Sequence, residues 1–132
     1  MVIVDTSAII ALIEQEDGWQ IVEEHIVGAV ISAVNLGELA QFNLRQNLDS
    51  DEIEKLVEAL EIEIVPVEAE HAYEAAIIRH HSVEERKKGS SLSQADCICL
   101  ATAKLRGITA LTADKNWDTV GKKLGISVQL IR

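Results

Sequence analysis

Short β-branched runs alternate with segments of helical periodicity along almost the whole chain, and this alternation restricts the fold more than any other feature. Val2-Ile3-Val4 is the first run; it stops at Asp5-Thr6-Ser7, and Ala8 to Ile13 then place apolar residues at helical spacing. The pattern predicts a helix from about Trp19 to Ile26, a strand over Ala29 to Ser32 and a helix from Val34 to Leu44. Asp49-Ser50-Asp51-Glu52 offers an N-cap and an acidic first turn to a helix in which Ile53, Leu56, Val57 and Leu60 recur. Ile62 to Val65 is the third strand candidate, ended by Pro66, and Glu68 to about His81 returns to helical spacing. Val83 to Ser91 is charged, then Gly/Ser-rich, and reads as a mobile loop. Ser93 to Arg106 is helical and closed by Gly107. Thr109 to Thr112 gives a fourth strand, Val120 to Leu124 a short helix, and Val128 to Ile131 a fifth strand.

Strands and helices in this order imply right-handed crossovers and an α/β fold: a mostly parallel five-stranded sheet with helices on both faces. With 132 residues, 48% of them hydrophobic, one domain spanning residues 1–132 is expected. Aromatic residues make up only 3%, so the core is expected to consist of Ile, Leu, Val and Ala rather than stacked rings. No apolar run approaches the length of a bilayer and no basic, then apolar, leader opens the chain, so a cytoplasmic protein without membrane association is expected. Cys97 and Cys99 are separated by one residue on a predicted helix and point to different sides, which favours reduced, buried thiols.

The formal net charge is -10. A protein that grips nucleic acid with its whole surface carries the opposite sign, so any RNA contact here has to be local or assisted by cations. Arg86-Lys87-Lys88 is a basic run with two readings, a solvated loop or a phosphate contact. His25, His71, His80 and His81 show no ligand spacing on one helix face, which argues against a zinc site or histidine chemistry.

Four acids resist a bland reading. Asp5 follows the first strand, where open α/β sheets place ligand contacts, although it is equally a residue that caps the next helix. Glu38 has Val34 and Phe42 four residues to either side, which places it in an apolar stripe or at its water-facing edge. Asp96 is flanked by Leu92, Leu100 and Cys99 at helical spacing, against the alternative of a first-turn acid favoured by the helix dipole. Asp114 ends the fourth strand as Asp5 ends the first, and it too has a capping alternative. Asp118, four residues on, is either a surface acid or a second-rank auxiliary.

Two acids at strand ends and two on helix faces can meet at one edge of a parallel sheet. Four carboxylates gathered there repel one another and raise one another's pKa unless cations intervene, and hard oxygen ligands favour Mg2+ or Mn2+ over zinc.

The segments Val2 to Ala8, Ile31 to Glu38, Leu92 to Asp96 and Leu111 to Trp117 together resemble the successive motifs of PIN domains. Over nearly the whole chain their order and spacing are similar to VapC toxins of type II toxin-antitoxin systems. The resemblance implies a PIN-like three-layer α/β/α sandwich and a Mg2+- or Mn2+-dependent endoribonuclease. It implies that Asp5, Glu38, Asp96 and Asp114 are the catalytic, metal-binding quartet, with Ser7 and Thr112 as supporting polar residues. It also implies an RNA substrate, a VapB-like antitoxin and a homodimer; the RNA target and the number of metal ions are not implied.

Other acidic-pocket folds fit less well. A phosphotransferase with an aspartyl nucleophile wants a second acid two residues after the first, where this chain has Ser7. A receiver-like signalling domain wants its Asp after the third strand, where this chain has Pro66-Val67. The serious rival is a noncatalytic PIN-like module that binds RNA or protein; its mark would be the loss of an acid, and all four acids are present.

Overall fold

The computed structural model describes residues 1–49, 51–82 and 92–132. Five strands carry the fold: β1 (Val2–Val4), β2 (Val30–Ser32), β3 (Glu63–Val65), β4 (Thr109–Thr112) and β5 (Val128–Leu130). The helices among the described residues are α1 (Thr6–Glu14), α2 (Trp19–His25), α3 (Ala33–Arg45), α4 (Asp51–Ala59), α5 (Ala69–His81), α6 (Gln94–Arg106) and α7 (Asn116–Leu124). Each strand expected from the sequence is present within a residue at either end. The last helix is longer than expected, beginning at Asn116 rather than Val120. Its extra first turn is held in place by Trp117, which is fully buried. The charged and Gly/Ser-rich stretch from Val83 to Ser91, including Arg86-Lys87-Lys88, lies outside the described residues.

The sheet has the order β3-β2-β1-β4-β5 and every pairing is parallel. The chain therefore winds outward from β1 through β2 to β3, then returns to the other side of β1 with β4. This reversal opens a crevice between the carboxyl ends of β1 and β4, the place where such sheets bind ligands. Val4 pairs with Leu111, so Asp5 and Thr112 emerge level with one another at that crevice. A backbone hydrogen bond from Asp5 N–H to Leu111 O, 3.0 Å long, fixes the register.

Side chains alternate across the strands and feed two separate cores. Val2, Val4, Ile31 and Leu111 face the layer built from α1, α2 and α4, where Ile9, Val22, Ile53 and Val57 are buried. Ile3, Val30, Val65 and Ala110 face the opposite layer, built from α5, α6 and α7. Each fully buried aliphatic side chain contributes about 1.5–3 kcal/mol relative to exposure, so the two cores outweigh any single polar contact in holding the sheet. As the composition suggested, these cores are aliphatic, with Trp117 as the one large ring in them.

α6 is buried from Cys97 to Ala103 without interruption. Its small residues, Cys97, Cys99, Ala101 and Ala103, let it lie close under the sheet. Arg79 Nη1 of α5 donates to Leu92 O at 2.8 Å and so anchors the chain just before α6 begins. Both cysteines are buried, as their spacing implied. Among the described residues no helix is long and apolar enough to cross a membrane.

At the other end of the sheet, Gly18 at the start of α2 has φ +92°, and a Cβ there would stand 2.1 Å from Ile131 O. Only glycine fits where the α1–α2 turn rests on the chain after β5.

Trp117 gives this architecture a test. Its indole Nε1 is buried with no hydrogen-bond partner, so its contribution is packing. Trp117→Ala is expected to lower stability by about 3–5 kcal/mol in urea denaturation, and Trp117→Phe by less than half as much, because no hydrogen bond is lost.

Candidate functional site

The carboxyl ends of β1 and β4, the second turn of α3 and the start of α6 place Asp5, Glu38, Asp96 and Asp114 near enough to influence one another's ionisation. Their proximity shows in their mutual electrostatics. Asp96 raises the pKa of Asp5, and Asp114 and Glu38 raise that of Asp96. Cys99 lies buried beside them on α6, and its thiol is pushed well up by burial and then by Asp5, Asp96 and Glu38.

Asp5 is at the N-cap position of α1 but makes no side-chain capping bond. Its Oδ2 instead accepts from Ser7 Oγ at 2.7 Å and from Thr112 Oγ1 at 2.8 Å. Both hydroxyls are themselves oriented by backbone donors of the loop after β4. Ala113 N–H donates to Ser7 Oγ at 3.1 Å, and Asp114 N–H donates to Thr112 Oγ1 at 3.0 Å. With those lone pairs occupied, each hydroxyl proton is left for Asp5. Asp5 thus holds the N-cap position without capping through its side chain, and Ser7 and Thr112, two of the three auxiliaries expected from the sequence, hydrogen-bond to it.

Glu38 departs from one of its two sequence readings. It is exposed, while the buried face of α3 runs through Asn35, Leu39 and Asn43. Two asparagines on that face disguise it in a hydrophobicity pattern, so Val34 and Phe42, both only half-buried, mark the edge of the stripe rather than its centre. Glu38 Oε1 accepts from Thr6 Oγ1 at 2.8 Å and from Asn35 Nδ2 at 3.0 Å. Neither donor stands out in the sequence except by position: Thr6 follows Asp5, and Asn35 precedes Glu38 by three residues on one helix.

Asp96 fulfils both of its readings. It is half-buried within the cluster and also completes a capping box at the start of α6. Ser93 N–H donates to Asp96 Oδ2 at 2.8 Å, and Asp96 N–H donates to Ser93 Oγ at 3.1 Å. Asp114 Oδ1 accepts from Asn116 N–H at 3.0 Å, which steers the chain into α7. Asp118 pairs with Lys122, four residues on, at 2.9 Å on α7.

Burial and its neighbours raise the Asp5 pKa to about 6, against the pull of the Ser7 and Thr112 hydroxyls. Asp96 is raised as well, first by burial and then by Asp114 and Glu38. Among the described residues, no lysine, arginine or histidine forms an ion pair with any of the four acids. Nor do three His, Cys, Asp or Glu side chains stand together as a ready-made metal cage among those residues. Carboxylates without a counter-charge hold apart, and the chemistry of this set, hard oxygens with excess negative charge, fits a divalent cation better than any other group. Among the described residues, Glu38 and Asp114 each engage protein donors through one oxygen, Oε1 and Oδ1 respectively, with Oε2 and Oδ2 as further donor atoms.

Comparison with known proteins adds an independent view. The family model described as PIN domain matches residues 2–123. The fold is similar to that in a toxin-antitoxin complex from Klebsiella pneumoniae, with a TM-score of 0.75, 18% identity, and 100% of this chain and 98% of that one covered. It is similar to a chain in DNA-bound VapBC from Salmonella typhimurium, with a TM-score of 0.71, 18% identity, and coverage of 99% and 98%. It is also similar to VapC20 of Mycobacterium tuberculosis, described as a sarcin-ricin loop cleaving toxin, with a TM-score of 0.69, 18% identity, and coverage of 92% and 95%. No curated protein matches the sequence.

The buried carboxylate has a measurable cost. The folded-state pKa of Asp5, about 6, lies above its ordinary 3.8, so ionisation opposes folding by up to about 3 kcal/mol. That penalty is full above pH 6, shrinks as pH falls from 6 toward 4, and is absent below. Asp5→Asn keeps an oxygen for Ser7 and Thr112 and removes the charge. In EDTA at pH 7.5 it is expected to be more stable than the parent by about 1–3 kcal/mol, with the gap closing by pH 4.5 in urea denaturation. An equal or lower stability at pH 7.5 would contradict this account.

Proposed function

This chain belongs to the PIN domain family, and from that premise we propose that it is a metal-dependent endoribonuclease that hydrolyses RNA phosphodiester bonds, the toxin of a VapBC-type toxin-antitoxin pair. The observation that carries the reading is the acidic cluster itself. Carboxylates from four distant segments act on one another electrostatically, Asp96 on Asp5 and both Asp114 and Glu38 on Asp96, and no cationic side chain among the described residues pairs with any of them. A purely structural site gains nothing from such an arrangement, because uncompensated buried charge costs stability. The noncatalytic alternative would be expected to lack at least one of the acids.

Asp5, Glu38, Asp96 and Asp114 are the residues that would hold Mg2+ or Mn2+. A divalent ion bound there would supply Lewis-acid stabilisation of the phosphoryl oxygens and a water of lowered pKa. The chain's own residues prepare the site. Ser7 and Thr112 lock the Asp5 carboxylate by one oxygen, Oδ2. Thr112 joins Asp5 to Asp114 through the Asp114 backbone N–H, so the two strand-end acids keep a fixed spacing. The capping box holds Asp96 against the start of α6. Preorganisation of this kind spares the site the reorganisation that charge development would otherwise demand.

The acidic balance of the chain fits this reading. With a formal charge of -10, RNA is repelled at long range, and cations held at the crevice are what bring a phosphate to it. Several of the similar folds come from toxin-antitoxin or VapBC complexes, which supports a VapB-like antitoxin as partner; the homodimer belongs to the proposal.

The test is cleavage of a total RNA pool by purified, antitoxin-free protein in Mg2+ or Mn2+, with the new RNA ends mapped. Discrete cuts are expected. EDTA should abolish them, and Asp96→Asn should reduce their rate by about a hundredfold or more. Cuts that persist undiminished in both controls would refute the assignment.

A further inference from the structure

The hydrogen bonds around Glu38 form a chain with one direction. Asn35 is fully buried on the inner face of α3, and its side chain uses every hydrogen-bonding group it has nearby. The order of donors follows from Ser32, the N-cap of α3. Asn35 N–H donates to Ser32 Oγ at 3.1 Å, so the Ser32 hydroxyl proton goes to Asn35 Oδ1, 2.8 Å away. That contact fixes the amide: Oδ1 lies on the Ser32 side and Nδ2 on the other. The two Nδ2 protons then go to Thr6 Oγ1 at 3.1 Å and Glu38 Oε1 at 3.0 Å. Thr6, having accepted from Asn35, gives its own proton to Glu38 Oε1 at 2.8 Å. Thr6 Oγ1 also has the Asn35 backbone carbonyl as a longer acceptor at 3.3 Å; the shorter contact to Glu38 makes Oε1 the point where the Thr6 and Asn35 donors converge.

We infer that Asn35 is a positioning residue for the acidic site: its buried amide holds the exposed Glu38 side chain by Oε1 alone and ties it to Thr6, beside Asp5, so that Oε2 remains for a divalent cation. The inference rests on the proposed metal-dependent function and adds to it a residue that touches none of the reacting groups. Physical need supports it. An exposed glutamate at a helix surface samples several rotamers, and fixing it costs side-chain entropy each time a cation binds. Two donors on one oxygen meet that cost in the folded protein. The chain also bridges the start of α1 and the start of α3, so the same bonds that aim Glu38 set the distance between the β1 and β2 arms of the site.

The experiment is a double-mutant cycle read by Mn2+ binding in isothermal titration, using Asn35→Ala, Glu38→Ala and the double variant. Circular dichroism melting without metal checks that each folds. Asn35→Ala is expected to weaken Mn2+ binding by about 10- to 100-fold in the parent. In the Glu38→Ala background the same change should have little effect, because its only route to the cation is gone. A merely structural role would weaken binding equally in both backgrounds, and that result overturns the inference. Unaltered Mn2+ affinity in Asn35→Ala also overturns it, while leaving the metal site standing. If the parent itself binds no Mn2+, the reading of the acids as a metal centre fails, and the inference falls with it. Should Asn35→Ala fail to fold, Ser32→Ala replaces it in the cycle. It keeps the amide and removes the proton that orients it together with the cap on Asn35 N–H; the lost cap shows in the melting temperature, while a smaller loss of Mn2+ affinity is expected in the same direction with the same dependence on Glu38.

Discussion

The Asp5 carboxylate, buried at the end of the central strand, is the constraint around which the rest is arranged. Water cannot reach it freely, no basic side chain among the described residues pairs with it, and burial, with Asp96 adding to it, drives its pKa to about 6. Two hydroxyls make the position tolerable, and both come from residues whose own lone pairs are filled by backbone N–H groups of the β4–α7 loop. The same four bonds dictate that β4 must lie beside β1 in a register that brings Thr112 level with Asp5. Sheet order, loop conformation and site electrostatics are thus one problem with one solution.

That solution is stable because the hydrophobic layers dominate. Alternate residues of each strand feed two aliphatic cores, and a few kcal/mol spent on an ionised, buried acid is small beside them. The acids divide the electrostatic load unevenly: Asp5 is buried, Asp96 and Asp114 are half-buried, and Glu38 is exposed. A site graded in this way keeps one face open to a large, negatively charged ligand while the other is anchored in the sheet.

Much of this was legible in the sequence. Strand positions showed because β-branched runs of three or four residues interrupt a helical period, and the four acids showed because two occupy the ends of such runs and two lie on helix faces among apolar residues. Ser7 and Thr112 came into view only through the resemblance to PIN domains. Glu38 was half legible: its place in the chain was clear, but Asn35 and Asn43 on the buried face of α3 shifted the apparent apolar stripe. The hydrogen bonds from Asn35 and Thr6 were not legible, since they depend on how closely α1 and α3 approach. The start of α7 was missed because Trp117 earns its place by tertiary burial rather than by local periodicity.

The bond between Thr112 and Asp5 joins residues 107 positions apart, and this separation has a consequence during synthesis. A nascent chain that has supplied β1, β2 and β3 still lacks the strand that fills the other side of β1. Asp5 then has neither Thr112 nor the loop that orients Ser7, and Asp96 and Asp114 are not yet in place. Because the winding reverses at β1, the acidic centre is completed only when the C-terminal third of the polypeptide docks against the first strand. Any chemistry that needs all four acids therefore waits until β4 and the loop after it have docked against β1.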